Sequence, residues 1–188
     1  IRRELFEEVE TDTVLDDFII SLRIAQKGYK IAYTPNAYAE ETASLNVKEE
    51  LKRKIRIAAG GIQALTRLDG LLNPFAYGVL SWQFVSHKAL RWTLAPVSLF
   101  LLFFVNGWMV WQNQLWDEAS FYTLFFWLQV VCYLLAGVGW FFENRKIRFK
   151  LLFVPYYFVS INYASVRGIF RYFRKKQPAS WEKSKRAI

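Results

Sequence analysis

The stretch that decides the architecture is 92-WTLAPVSLFLLFFVNGWMVW-111, twenty residues without a charge. As an α-helix it reaches about 30 Å, the thickness of the hydrocarbon core of a bilayer. A second uncharged run, 119-ASFYTLFFWLQVVCYLLAGVGWFF-142, follows a short acidic linker over 112–118. The outer flanks are basic: His87, Lys88 and Arg91 stand before the first run, and Arg145, Lys146, Arg148 and Lys150 after the second. The positive-inside rule then puts the linker outside and the flanks in the cytoplasm, so the two runs predict a transmembrane hairpin. Tryptophan (8), tyrosine (10) and phenylalanine (17) are abundant around these runs, as expected of rings at headgroup level.

Working outward, residues 72–91 mix Pro74, aromatics and a few charges, the pattern of a helix lying on the membrane surface. On the other side, 151–173 is apolar but interrupted by Pro155, Asn162 and Arg167, and a basic tail follows. A full crossing would carry that tail outside against the charge rule, so a partly inserted, re-entrant or interfacial helix is expected. The net charge of +9 is gathered beside the apolar runs and at Arg171 to Lys176, where anionic lipid attracts it. That placement argues for membrane lipids as partners and against nucleic acid. Neither uncharged run contains an ionisable acid or base to line a transport path. Cys132, the only cysteine, lies within the second run, so there is no disulfide framework. The chain opens on Ile1 with neither an initiator Met nor a signal peptide, and it reads as a piece of something longer.

The first sixty residues read as α/β. Leu15, Ile19, Leu22 and Ile24 give helical spacing over 13–28, with Thr13 as N-cap, Asp16 in the capping-box position and Gly28 as the C-terminal cap. Lys30-Ile31-Ala32-Tyr33 alternates and ends at Pro35-Asn36, which predicts a short strand and a turn. A second helix is expected from Asn46 to about Ala59, stopping before Gly60-Gly61.

Two adjacent acids at the start of a helix ordinarily mean only a favourable dipole contact. Here, however, Asp16-Asp17 is followed by Arg23 six positions after Asp17, and by Gly28 and Tyr29 at eleven and twelve. These intervals resemble the acidic motif of inverting, GT-A type family 2 membrane glycosyltransferases, the superfamily of cellulose, hyaluronan and poly-N-acetylglucosamine synthases. The resemblance implies that Asp17 is the catalytic general base, taking the proton of the acceptor hydroxyl as it attacks the anomeric carbon. It also places Asp16 at the substrate, although Asp16 stands where the family usually has Glu. Arg53-Lys54-Ile55-Arg56-Ile57 falls where the family has Gln-x-x-Arg-Trp. Arg53 and Arg56 are therefore expected to bind substrate, Arg56 as a fork donor to diphosphate oxygens. Ile57 in the tryptophan position speaks against a processive polymerase. Ser86-His87-Lys88 through Arg91-Trp92 also looks like a segment of this family, and its charged residues are expected as headgroup anchors.

The fold class implied is the α/β C-terminal part of a GT-A domain followed by an interfacial helix and transmembrane helices. Its expected divisions are 1–71 (acceptor side and base), 72–91 (interfacial), 92–142 (hairpin) and 143–188 (basic loop, interfacial or re-entrant helix, tail). The implied activity is transfer of a sugar from a nucleotide-sugar donor to a lipid-linked or polysaccharide acceptor, by a multi-pass protein of the cell membrane with its catalytic part in the cytoplasm. A processive, product-secreting synthase and a non-catalytic membrane scaffold are the alternatives. A divalent cation, Mg2+ or Mn2+, is expected in the full-length enzyme, with its ligands mostly outside this chain. The nucleotide-binding half would precede Ile1, so this piece alone is expected to be inactive.

Overall fold

Asn46 opens a long helix: its side chain accepts from the Glu49 amide at 2.9 Å, closing one of the donors a helix start leaves free. The computed structural model describes residues 1–32, 34–41, 44, 46–113, 120–144 and 150–174. Their principal helices are α1 (Asp16–Gln26), α2 (Val47–Arg67), α3 (Pro74–Tyr77), α4 (Val79–Phe84), α5 (Leu90–Trp92), α6 (Leu94–Gln112), α7 (Phe121–Asn144) and α8 (Lys150–Phe173). They form two compact units, Ile1–Leu94 with Ala164–Ile188, and Ala95–Tyr163.

The expected α/β character is overturned. The described residues are mainly helical, and no strand or sheet occurs among them. Lys30 to Ala32 are irregular and exposed, with Ile31 63% accessible, while Tyr33 lies outside the described residues. A strand exists through its hydrogen-bonded neighbours, and alternation without such a neighbour leaves the backbone to water. The Pro35-Asn36 turn does form, with the Ala37 amide donating to Thr34 O.

Two helix boundaries also differ from expectation. Thr13 does not cap α1: its hydroxyl donates to Glu10 O at 2.5 Å, and Leu15 holds the cap position without a side-chain bond. Gly28, at φ +85°, sits just past the α1 end and donates to Ala25 O, as a left-handed terminating residue does. α2 does not stop at Gly60-Gly61 but continues to Arg67. The pair is retained because neighbours press on it from two directions. A Cβ on Gly60 would fall 2.8 Å from Val14 and Leu15 side-chain atoms, and one on Gly61 2.5 Å from the Trp92 ring. Close approach thus outweighs the roughly 1 kcal/mol helix penalty of each glycine.

Around this contact lies the core of the first unit: Ile19, Ala64, Leu68, Leu71 and Phe84, with Val9, Phe18 and Leu22 packed against it. Gly168 of α8 belongs to the same unit and lies against α2, where a Cβ would meet the Ala59 amide and the Ile55 carbonyl at 2.9 Å. Tyr172 OH and Thr66 Oγ1 pair 3.0 Å apart along the same contact.

In the second unit, α6 and α7 are long and apolar enough to cross a membrane, over Leu94–Gln112 and Phe121–Glu143. Only 11% of either apolar window is buried, unlike the core helix of a soluble protein. They are tied by Asn106 Nδ2 to Gln129 Oε1 at 3.1 Å and by Tyr133 OH to Leu99 O at 3.1 Å, with Phe103 stacked on Phe126. α8 is continuous through Pro155, but its tyrosines, Asn162 and arginines keep it out of the membrane-crossing class. The linker from 114 to 119, the basic flank 145–149 and the tail 175–188 lie outside the described residues.

Gly60→Ala is expected to lower the thermal unfolding midpoint of the detergent-solubilised protein, the overpacking cost of about 1–3 kcal/mol exceeding the propensity gain. Gly137→Ala, whose Cβ would meet nothing within 4 Å, serves as the control and loses no stability.

Candidate active site

Asp16 and Asp17 form the first turn of α1, and both side chains are exposed. Asp17 Oδ1 accepts from the Phe18 amide at 2.8 Å, and its carbonyl accepts from the Ser21 hydroxyl at 2.7 Å. The carboxylate is thus oriented from its own helix while one side stays open to solvent. What fixes the helix start is a set of polar contacts to the preceding segment. Gln63, a buried amide on α2, accepts from the Val14 amide at 2.9 Å through Oε1 and donates to Asp12 O at 2.9 Å through Nε2. Arg67, one turn on, donates to Thr13 Oγ1 at 2.6 Å and to Asp12 Oδ1 at 2.5 Å.

Arg23, the arginine of the matched interval, faces this scaffold. Its guanidinium donates to Glu10 Oε1 at 2.7 Å and to Glu8 O at 3.5 Å. Its place in the motif is therefore explained by folding: it pins the approach segment to α1. Gly28 ends the same helix, and Asp16 and Asp17 are the motif members with carboxylates open to solvent.

Along α2, residues 53, 56, 60, 63 and 67 recur at three- and four-residue steps and so share one side of the helix. Gly60, Gln63 and Arg67 on that side meet residues 12–15. Arg56 stands one turn before Gly60, half-buried, with its Nε out of contact with solvent. The structure thus places the predicted Arg56 on the side of α2 that abuts the start of the Asp17 helix. Arg53 lies differently. Its guanidinium is held by both oxygens of Glu50, at 3.1 and 3.0 Å, with Glu41 at 3.6 Å. Those ion pairs tie Arg53 to acids of its own helix and of the segment before it.

Burial pushes the Glu50 carboxyl up, but hydrogen bonds from Arg53 and Ser44 outweigh it and leave the group below its ordinary range. The Glu10 carboxyl is also held low, first by its own backbone amide and then by Arg23. No three His, Cys, Asp or Glu that could hold a metal ion converge among the described residues.

Sequence reading missed Gln63, Arg67 and Trp92 as determinants of this site. Gln63 carried a signal, being a lone amide in the otherwise apolar run from Ile57 to Leu65. Trp92 and Lys88, expected at headgroup level, also make contacts within the fold: Trp92 is half-buried against Gly61, and the Lys88 ammonium lies over the Phe18 and Trp92 rings.

The structure thus sets an open carboxylate at a pinned helix start, with an arginine-bearing helix beside it. The family described as glycosyl transferase family group 2 matches residues 1–162, and the chain belongs to it. It is thus a glycosyltransferase by family. No curated protein matches the chain, and no solved structure does.

The depressed Glu10 makes a pH prediction with a definite sign. Its folded value lies below the reference 4.5, so its contribution is complete above that value and is lost as pH falls through the lower, folded one. The unfolding midpoint should therefore fall on acidification through this range, and Glu10→Gln should flatten that fall.

Proposed function

We propose that this chain carries the acceptor side and the catalytic base of a membrane-bound inverting glycosyltransferase. The donor is a nucleotide sugar, and the acceptor is lipid-linked or a polysaccharide at the cytoplasmic face. The observation that carries this reading is Asp17, exposed on the first turn of a helix whose approach is pinned by Gln63, Arg67 and Arg23, within a family match covering it.

In the proposed step, Asp17 accepts the proton of an acceptor hydroxyl while that oxygen attacks the anomeric carbon from the face opposite the nucleotide. The bond from that carbon to the diphosphate breaks as the new glycosidic bond forms. Arg56 stabilises the departing diphosphate with its planar fork. One base suffices, because inversion is a single displacement. Asp16, exposed on the same first turn, is assigned to acceptor contact.

Membrane attachment has a chemical purpose in this account. Residues 1–71 hold the base, and 72–91 expose the apolar side chains Leu72, Phe75, Val79, Trp82 and Leu90. Such side chains suit a bilayer surface, and α6 and α7 suit a hairpin within it. A lipid-borne acceptor would then diffuse in two dimensions to a base held at a fixed height.

The test is transfer by the complete protein in membranes, supplied with a panel of radiolabelled nucleotide sugars and Mg2+ or Mn2+. Asp17→Asn is expected to lower kcat by roughly 10²–10⁴-fold with nucleotide binding retained. Undiminished transfer in that variant removes Asp17 from the mechanism and leaves a non-catalytic scaffold as the better reading of this segment.

A further inference from the structure

Phe18 follows Asp17 directly, and its amide is the donor that orients the Asp17 carboxylate. Its ring is fixed by residues that belong to the approach to α6, not to α1. It stacks near Phe84 at 6.5 Å and meets Trp92 edge-on at 5.4 Å and 75°. Trp92 in turn lies on Gly61, in contact that leaves no room for a Cβ. The Lys88 ammonium stands 5.1 Å from the Phe18 centroid and 5.6 Å from that of Trp92, within cation–π range of both. Residues Val85–Ala89 form a π-helical turn, a rare wide turn concentrated at functional positions, and Lys88 is carried on it.

Each part of this arrangement serves a geometric requirement. Gly61 admits a flat ring between α1 and α2 where any other residue would push it away. The ring sets the separation of the Phe18 helix from α2, the helix that carries Arg56. A cation over two rings at once favours their observed mutual orientation over a slid one, since it interacts with the π face and not with the edge.

We infer that Lys88 and Trp92 are positioning residues for Asp17, holding the base helix in register with α2 through Phe18. This inference rests on the reading of Asp17 as the base. It assigns a role to the Lys88–Trp92 segment that headgroup anchoring does not supply. A base displaced by about 1 Å can lose on the order of 10²-fold in rate, so the contact bears on turnover without touching substrate.

The test uses the complete protein in membranes with the radiolabelled nucleotide-sugar panel, comparing Lys88→Gln, Lys88→Arg, Trp92→Ala and Trp92→Phe. Lys88→Gln and Trp92→Ala are expected to lower kcat by about 10-fold with the donor KM unchanged, and Lys88→Arg to restore turnover because guanidinium keeps the cation–π contact. Independently of activity, amide hydrogen exchange over Phe18 to Leu22 should quicken in Trp92→Ala and stay near wild type in Trp92→Phe. Lys88→Gln tolerates a misfolding Trp92→Ala, since it removes a charge without opening a cavity. If the wild type transfers sugar while Lys88→Gln keeps full kcat and α1 exchange is unmoved, the positioning role is overturned alone. If Lys88→Arg fails to rescue and KM rises together with exchange throughout the chain, the contact is merely structural and the inference is overturned. A wild type that transfers no sugar overturns the functional reading itself, and the positioning role with it.

Discussion

The start of α1 can be where it is only because α2 lacks side chains at Gly60 and Gly61. Val14 and Leu15 occupy the space above one glycine and the Trp92 ring the space above the other. From that approach follow the burial of Ile19 against Ala64 and Leu68, and the reach of Gln63 and Arg67 to the residues before Asp16. The polar contacts depend on the steric one: a hydrogen bond of 2.9 Å from Gln63 to the Val14 amide requires the two backbones to be near before it can form. The helix therefore tolerates two poor helix formers in succession, since what they permit is worth more than what they cost locally.

A division of labour between polar residues results. Glu10, Asp12, Arg23, Gln63 and Arg67 satisfy one another and stabilise the approach segment, whereas Asp17 keeps its carboxylate toward solvent. Within one short motif, Arg23 and Gly28 serve the fold, while Asp17 is left exposed on the first turn of α1. The same logic separates the two arginines of α2. Arg53 is held by Glu50 and Glu41, while Arg56 lies on the side toward the α1 start. Family membership as a glycosyltransferase gives these placements a reaction to serve.

How far the sequence could be read depended on whether each signal was local. The helix of 13–28, the Asn46 cap, the Pro35-Asn36 turn and the two apolar helices were legible, since caps, turn residues and long uncharged runs act within a few residues. The strand at 30–33 was not, because alternation describes a strand only if a neighbour exists to pair with it, and none occurs among the described residues. The stop at Gly60-Gly61 was misread for a related reason: glycine marks either a helix end or a close packing contact, and only the positions of Val14 and Trp92 distinguish them. The intervals to Arg23, Gly28 and Tyr29 single out Asp17 in the sequence, and its helix is found there. The contacts that pin the segment before that helix were not legible, since Gln63 and Arg67 lie about fifty residues from Asp12, Thr13 and Val14 and reach them only in the folded chain.

In the proposed reaction, a single base opposite the departing nucleotide fixes the stereochemistry of the product. The most direct measurement is the anomeric configuration of the transferred sugar, read by NMR on product made from an isotopically labelled nucleotide sugar. The account predicts inversion relative to the donor. Retention would require a second nucleophile or a front-face path, and it would contradict the role given to Asp17.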